Sequence, residues 1–263
     1  MVDKVRAKKA LGQNFLTDSG VSQLMVESVD VFNGDRIIEI GSGRGALTQS
    51  LASICRSRQA YLTAVEFDVD LIPILKSRIT ESENIKIINA NILNYLDDFK
   101  VPENTRLKIT GSLPYNITSP LIHKLIKINP RPETCVFLIQ KEVAQKICKQ
   151  APDSNYLSVF VQTFYKTEIL KIVDKNLFSP VPKVDGAIIK LTRKPSDLIS
   201  RLPWQTGNIS HYEKFLHHAF SSPRKMLNKV FTKEDLARYQ LDATKRPQDY
   251  GSDKYLRIFA TDK

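Results

Sequence analysis

Cysteine is scarce in this chain: three among 263 residues, Cys55, Cys135 and Cys148, widely spaced and without a CxxC pair. An odd, scattered set excludes a disulfide framework and a thiolate zinc site, and leaves buried thiols in a reducing cytosol as the economical reading. Long apolar runs are also missing. No stretch approaches the roughly 20 residues that a bilayer-spanning helix needs. The opening MVDKVRAKKALGQNF carries no apolar core of the signal-peptide kind. A cytoplasmic protein with no membrane partner is expected. No lysine of the Walker type follows a glycine-rich loop, so ATP chemistry has little support. Internal repeats and low-complexity tracts are absent too. His123, His211, His217 and His218 share no ligand spacing with cysteine or carboxylate, and no metal is expected.

Negative charge is in deficit. Lysine and arginine number 39 against 28 acidic residues, a formal net charge of +11. Such a field favours polyanions and speeds encounter with nucleic acid at low salt; plain solubility is the competing reading. What is abundant is apolar residue, 42% of the chain, enough for a packed core. The length fits one large domain with a small appendage.

The first half alternates strand-like and helix-like runs. Strands are expected at Arg36 to Ile40, Tyr61 to Val65, Ile85 to Ile88, Leu107 to Thr110 and Val136 to Ile139. Helices are expected between them, at Ala46 to Ile54 and Leu71 to Ile79 among others. That alternation implies an α/β fold with parallel strands joined by crossovers. After Asn155 the pattern changes. Tyr156 to Tyr165, Glu168 to Val173 and Gly186 to Leu191 read as late, partly antiparallel sheet elements. Arg193 to Pro203 reads as a linker, and Tyr212 to Val230 and Lys233 to Tyr239 as helices. The expected division is a catalytic domain over 1–195 and a small all-helical domain over 196–263.

The strongest local signal is Ile37-Ile38-Glu39-Ile40-Gly41-Ser42-Gly43-Arg44-Gly45. A buried strand runs into a turn whose glycines permit positive φ and leave no Cβ in a ligand's way. The spacing is GxGxG rather than the GxGxxG of dinucleotide sites, which disfavours a nicotinamide cofactor. Glu66 ends the next strand, where a carboxylate can accept from both hydroxyls of a ribose. Asn91 follows the third strand, where its amide could meet an adenine edge. Singly, Glu66 reads equally as a solvated strand end and Asn91 as an Asx turn. Jointly they outline a nucleoside-shaped pocket.

The fourth strand delivers Gly111-Ser112-Leu113-Pro114-Tyr115-Asn116. This resembles the (Asn/Asp/Ser)-(Pro/Leu)-Pro-(Tyr/Phe) turn of methyltransferases acting on exocyclic amines. An aryl amine is a poor nucleophile because its lone pair is delocalised into the ring. Acceptors on its two N–H groups favour a pyramidal nitrogen whose lone pair can aim at a sulfonium methyl. The Ser112 hydroxyl and the Leu113 carbonyl would be those acceptors, with Pro114 shaping the turn and Tyr115 stacking on a flipped-out base. Positioning and electrostatics then carry the reaction.

Over nearly the whole chain the sequence is similar to the small-subunit ribosomal RNA adenine dimethyltransferases, the bacterial enzymes whose loss gives kasugamycin resistance. The matching segments are Lys9 to Leu16, EIGSGRGALT, Leu113 to Ile117, Gln140 to Ala144, Phe178 to Asp185, Arg224 to Leu227 and Arg246 to Asp249. The resemblance implies a Rossmann-like class I S-adenosylmethionine-dependent methyltransferase sheet, with S-adenosylhomocysteine as the spent cofactor. It implies that Asn14 and Leu16 close over the cofactor and that Gly41, Gly43, Glu66, Asn91 and Ser112 bind it. Ser112, Leu113, Pro114 and Tyr115 would address the target amine, and Phe178 would offer a second aromatic face to the base; read locally, Phe178 fits apolar packing equally well. It further implies two methyls on each of two adjacent adenines near the 3′ end of small-subunit RNA, within a pre-30S particle; a monomer is expected. Lys8, Lys9, Arg224 and Lys225 would contact the RNA backbone, the last two from a C-terminal helix. The family usually has Asp where this chain has Asn91, and Asn where it has Ser112. Two other readings share these motifs: a large-subunit RNA adenine methyltransferase and a non-catalytic assembly factor on the same scaffold.

Overall fold

The computed structural model describes residues 6–100, 105–114, 116–195 and 206–261. A seven-stranded sheet forms its frame. The strands are β2 (Arg36–Ile40), β3 (Tyr61–Glu66), β4 (Ile85–Asn89), β5 (Leu107–Ser112), β6 (Thr134–Gln140), β7 (Tyr165–Val173) and β9 (Gly186–Arg193), in the order β4-β3-β2-β5-β6-β9-β7. The four pairings from β4 across to β6 are parallel, and β9 runs antiparallel to β6. The chain enters at β2, steps outward through β3 and β4, then returns to β5 on the other side of β2. That reversal opens a crevice beyond the carboxyl ends of the central strands, where ligands of open α/β sheets bind.

These strands form because their residues are apolar on both faces: β6 is buried over six of its seven positions and β2 over four of five. The crossover helices are amphipathic. In α5 (Thr118–Lys127), Leu121, Ile122, Leu125 and Ile126 are buried at the i, i+1, i+4, i+5 spacing of one helical face. In α1 (Ser19–Ser28) the buried stripe is Val21, Ser22, Met25 and Val26. Asp18 caps it by accepting from the Val21 N–H at 2.7 Å, a contact worth about 1 kcal/mol. The remaining crossovers of this half are α2 (Thr48–Ser57), α3 (Ile72–Arg78) and α4 (Ile92–Asp98). The foot of the sheet is pinned by Asp35, fully buried, which takes Lys108 at 2.9 Å and Arg106 at 2.6 Å. A two-stranded ribbon of β1 (Phe15–Leu16) and β8 (Phe178–Ser179) pairs residues more than 160 positions apart.

The chain divides into two compact units: residues 1–144 with 168–193, and residues 145–167 with 194–263. The second stretch of the latter starts within two residues of the boundary expected at 195. The segment 145–167, expected in the first domain, groups with it. Its core is α7 (Tyr156–Phe164), which lies where a strand was expected. The run LSVFVQTF is rich in β-branched and aromatic residues and reads locally as strand. A capping box from Asn155 to Ser158 starts a helix there, and six of its nine residues are buried, so packing overrides propensity.

The other described helices of this unit are α8 (Thr206–Ala219), α9 (Lys233–Arg238) and α10 (Ser252–Thr261), with α6 (Lys141–Cys148) leading in from the first unit. Phe164, Tyr212 and Phe259 meet ring to ring, and the buried Tyr212 hydroxyl lies 2.8 Å from that of Thr163. The helix expected through Val230 stops at Ala219. Pro223 has no N–H for a helical hydrogen bond, and Arg224 and Lys225 sit exposed in a turn rather than on a helix. The expected linker falls mostly on 196–203, outside the described residues.

Candidate active site

A cavity of about 570 Å³ opens at the carboxyl ends of β2, β3, β4 and β5. Its floor is the glycine turn after β2. Gly41 and Gly43 take φ of +68° and +57°. A Cβ on Gly41 would approach the Ser112 carbonyl oxygen to 3.3 Å, and one on Gly43 would touch the Phe15 ring at 3.5 Å. Conformation favours glycine at both positions, and at Gly41 the tight approach to Ser112 adds to it.

Glu66, at the end of β3, is 6% exposed. One carboxylate oxygen accepts the Gly43 N–H at 2.7 Å and the other the Asp68 N–H at 2.8 Å. Burial raises its pKa, and the two backbone donors pull it back in part. A carboxylate offers about four lone-pair positions, so capacity remains for two hydroxyl donors from a ligand. Asn91 follows β4 as the N-cap of α4. Its Oδ1 accepts the Leu93 N–H at 2.9 Å, which turns the NH₂ toward other partners. The Asx-type cap and the pocket position thus coexist in one side chain.

Ser112 ends β5 beside Gly41 and lines the cavity with Leu113 and Pro114. The Leu113 N–H donates to the Leu138 carbonyl at 2.9 Å, which fixes the turn against β6. The Pro114 carbonyl accepts from the Ile117 N–H and the Thr118 hydroxyl. Tyr115 lies outside the described residues. Phe178 lines the same cavity from β8 but is 8% exposed and belongs to the hydrophobic core, against which a Cβ on Gly186 would come within 3.4 Å. Asn14 and Leu16 also line the cavity, on the N-terminal segment that carries β1. Lys8, expected as an RNA contact, has its ammonium 2.6 Å from both Asp68 and Asp70. Lys9 is exposed.

Three lining residues escaped the sequence reading. Glu39 sits inside the recognised strand, where a carboxylate passes for part of a buried run. It is 1% exposed, and neither oxygen has a hydrogen-bond partner among the described residues. Burial pushes its pKa up to about 7. The Ser42 and Thr48 hydroxyls lie near enough to pull it back, yet neither meets it in hydrogen-bond geometry. Phe67, directly after Glu66, leaves an aromatic ring 59% exposed at the rim. Arg44, inside the glycine turn, places its guanidinium 4.5 Å over the Phe15 ring. Only the position of Phe67, next to a strand-end carboxylate, was a signal available in advance. Among the described residues no group of three His, Cys, Asp or Glu side chains could hold a metal ion. No helix there is long and apolar enough to cross a membrane.

The site suits a nucleoside carrying a charged tail. Glu66 can take a ribose, Asn91 an adenine edge, and the buried unpartnered carboxylate of Glu39 an ammonium or a water that serves one. Comparison with known proteins points the same way. A family model described as ribosomal RNA adenine dimethylase matches residues 4–255. The ribosomal RNA small subunit methyltransferase A of a Sulfurihydrogenibium species is 32% identical, over 98% of this chain and 97% of that protein. The protein of the same name from a Marinomonas species is 35% identical over 96% and 94%. Among solved structures, the 23S rRNA methyltransferase ErmE superposes with a TM-score of 0.71 at 25% identity, covering 94% of this chain and 99% of that one. The sheet is therefore the Rossmann-like methyltransferase sheet that the motifs implied.

Proposed function

The chain belongs to the ribosomal RNA adenine dimethylase family, and from that premise we propose that it methylates the exocyclic amine (N6) of adenine in small-subunit ribosomal RNA with S-adenosylmethionine. One observation carries the reading. The glycine turn, Glu66, Asn91 and the Ser112-Leu113-Pro114 turn, from four different strands, converge on a single cavity. S-adenosylmethionine supplies, when bound, an electrophilic methyl on a cationic sulfur.

The protein's own work is binding and orientation. Glu66 accepts from the ribose, Asn91 addresses the adenine edge, and Gly41 and Gly43 let the chain approach the ligand closely. Asn14 and Leu16 cover it. At the reacting end, the Pro114 carbonyl is already engaged by Ile117 and Thr118. The Ser112 hydroxyl and Leu113 carbonyl are left to accept from the target amine, which localises its lone pair toward the methyl donor. Ser112 has a single oxygen on a short side chain, so one water bridges any remaining distance. No strong general base is required, because positioning and fixed dipoles supply the catalysis. Phe178, and Tyr115 outside the described residues, stack on the target base.

The finer reading is two methyls on each of two adjacent adenines near the RNA 3′ end, in a pre-30S particle, by a cytoplasmic monomer. Residues 196–263 serve RNA recognition, with Arg224, Lys225 and Lys9 contacting phosphates. Two small-subunit relatives at 32% and 35% identity, against 25% for the large-subunit enzyme, favour the small subunit. The deciding experiment supplies unmethylated small subunits and labelled S-adenosylmethionine, then maps the RNA by mass spectrometry. Dimethyladenine at adjacent positions is expected. Cofactor binding without any label in RNA would overturn the enzymatic reading in favour of an assembly factor.

A further inference from the structure

Asp68 stands one loop position beyond the strand-end pair Glu66-Phe67, and its side chain is 1% exposed. It receives more than a loop residue needs. One carboxylate oxygen accepts the Lys8 ammonium at 2.6 Å and the Asp70 N–H at 3.1 Å; the other accepts the Gln13 amide at 2.8 Å. Gln13 closes the ring by accepting the Lys8 backbone N–H at 2.8 Å. Burial raises the pKa of Asp68, yet the donors from Lys8 and Gln13 outweigh it and hold the carboxyl below its ordinary value. Lys8 correspondingly moves up, chiefly through Asp68.

The ring ties residues 8–13 to the β3 loop. Beyond it the same segment is held three more times, first by the β1–β8 pairing of Phe15 with Ser179 and Leu16 with Phe178. Phe15 packs on Gly43 beneath Arg44, and the Thr17 N–H and hydroxyl both donate to the Leu177 carbonyl, at 2.9 and 2.8 Å. Between these fastenings run Asn14, Phe15 and Leu16, which line the cavity. The backbone N–H of Asp68 meanwhile donates to Glu66. One residue thus sets both the covering segment and the carboxylate beneath it.

We propose that Asp68, through Lys8 and Gln13, is a positioning residue that latches the N-terminal segment over the cofactor pocket and so governs how fast the cofactor leaves. The inference rests on the reading of Glu66 and the glycine turn as the cofactor site. Lys8 acts within the fold in this scheme. Bond for bond, a buried carboxylate with charge-assisted donors is firmer than the neutral contacts at the other fastenings, since such bonds are about twice as strong as neutral ones.

The test uses the full chain in two forms beside wild type: Asp68→Asn and Lys8→Gln. Lys8→Gln changes a partly exposed side chain and leaves the fold intact. Two readouts are taken: amide hydrogen exchange of residues 10–17 without ligand, and S-adenosylhomocysteine association and dissociation rates by stopped flow. Asp68→Asn keeps the backbone donor to Glu66. Both single variants should exchange faster over 10–17 and release the ligand about tenfold faster, with association within about twofold of wild type. Unchanged exchange in both single variants would sink the latch. Faster exchange with unchanged release would show that the latch does not hold the cofactor, and would overturn the proposal equally. Failure of wild type to bind S-adenosylhomocysteine would instead sink the cofactor reading and the release claim built on it, while the exchange arm still reports on the latch.

Discussion

Replacing Glu39 with glutamine changes one proton-binding group at the floor of the pocket and nothing else in its shape. Glu39 is 1% exposed and its pKa is raised from 4.5 to about 7, first by burial. Below about pH 4.5 the carboxyl is protonated in both folded and unfolded chains and contributes nothing to pH dependence. Between about 4.5 and 7 the folded chain holds a proton that the unfolded chain has lost, so stability falls as pH rises through that window. Above 7 the full cost is paid: a raise of about 2.5 units at 1.36 kcal/mol each gives roughly 3 kcal/mol. Water entering beside Ser42 and Thr48 would reduce it. Glu39→Gln cannot ionise. Urea unfolding of both proteins at pH 5, 6, 7 and 8 should show the variant gaining on wild type by about 2.5 kcal/mol between pH 5 and 8. Binding should move oppositely. The ammonium of the ligand's amino-acid tail favours the ionised carboxylate, so wild-type affinity for S-adenosylhomocysteine should rise from pH 6 to 8 while that of the variant stays flat. Parallel stability curves for the two proteins across the whole range would refute the reasoning.

Gly111→Ala should prevent soluble expression or cost several kcal/mol, because the added Cβ would lie 2.2 Å from the Ile40 carbonyl oxygen in the adjoining strand, and neither backbone can give; a thermal midpoint near wild type would contradict the β2–β5 packing. Asn91→Asp should tighten S-adenosylhomocysteine binding about fivefold, since one oxygen keeps the Leu93 cap and the second becomes an acceptor for the adenine amine. Calorimetry showing equal or weaker binding would mean that the amide NH₂ of Asn91 already suits the adenine edge.

The N-terminal cap of α7, the turn at Arg224 and the latch at Asp68 mark where reading the chain alone stops. The central strands were legible because each is a short apolar run closed by a turn residue, and five expected strands correspond to β2 through β6. The glycine turn of the pocket was legible for the same local reason: Gly41 and Gly43 adopt positive φ within five residues of a strand. Glu66, Asn91 and Ser112 followed from topology, since parallel strands present their carboxyl ends on one edge. Ordered sequence therefore determined the sheet, the pocket edge and, through its motifs, the family. Tertiary structure alone decided matters that depend on residues far apart. Packing in the second unit made 156–164 a helix against its strand-like composition. The pairing of Phe15 with Ser179 brought a distant strand to the pocket. The partner of Lys8 was settled by an acidic loop 60 positions away, whose buried carboxylate offers a better site for an ammonium than open solvent. Local propensity and turn chemistry act over a few residues; charge pairing and burial are fixed only when the chain has closed on itself.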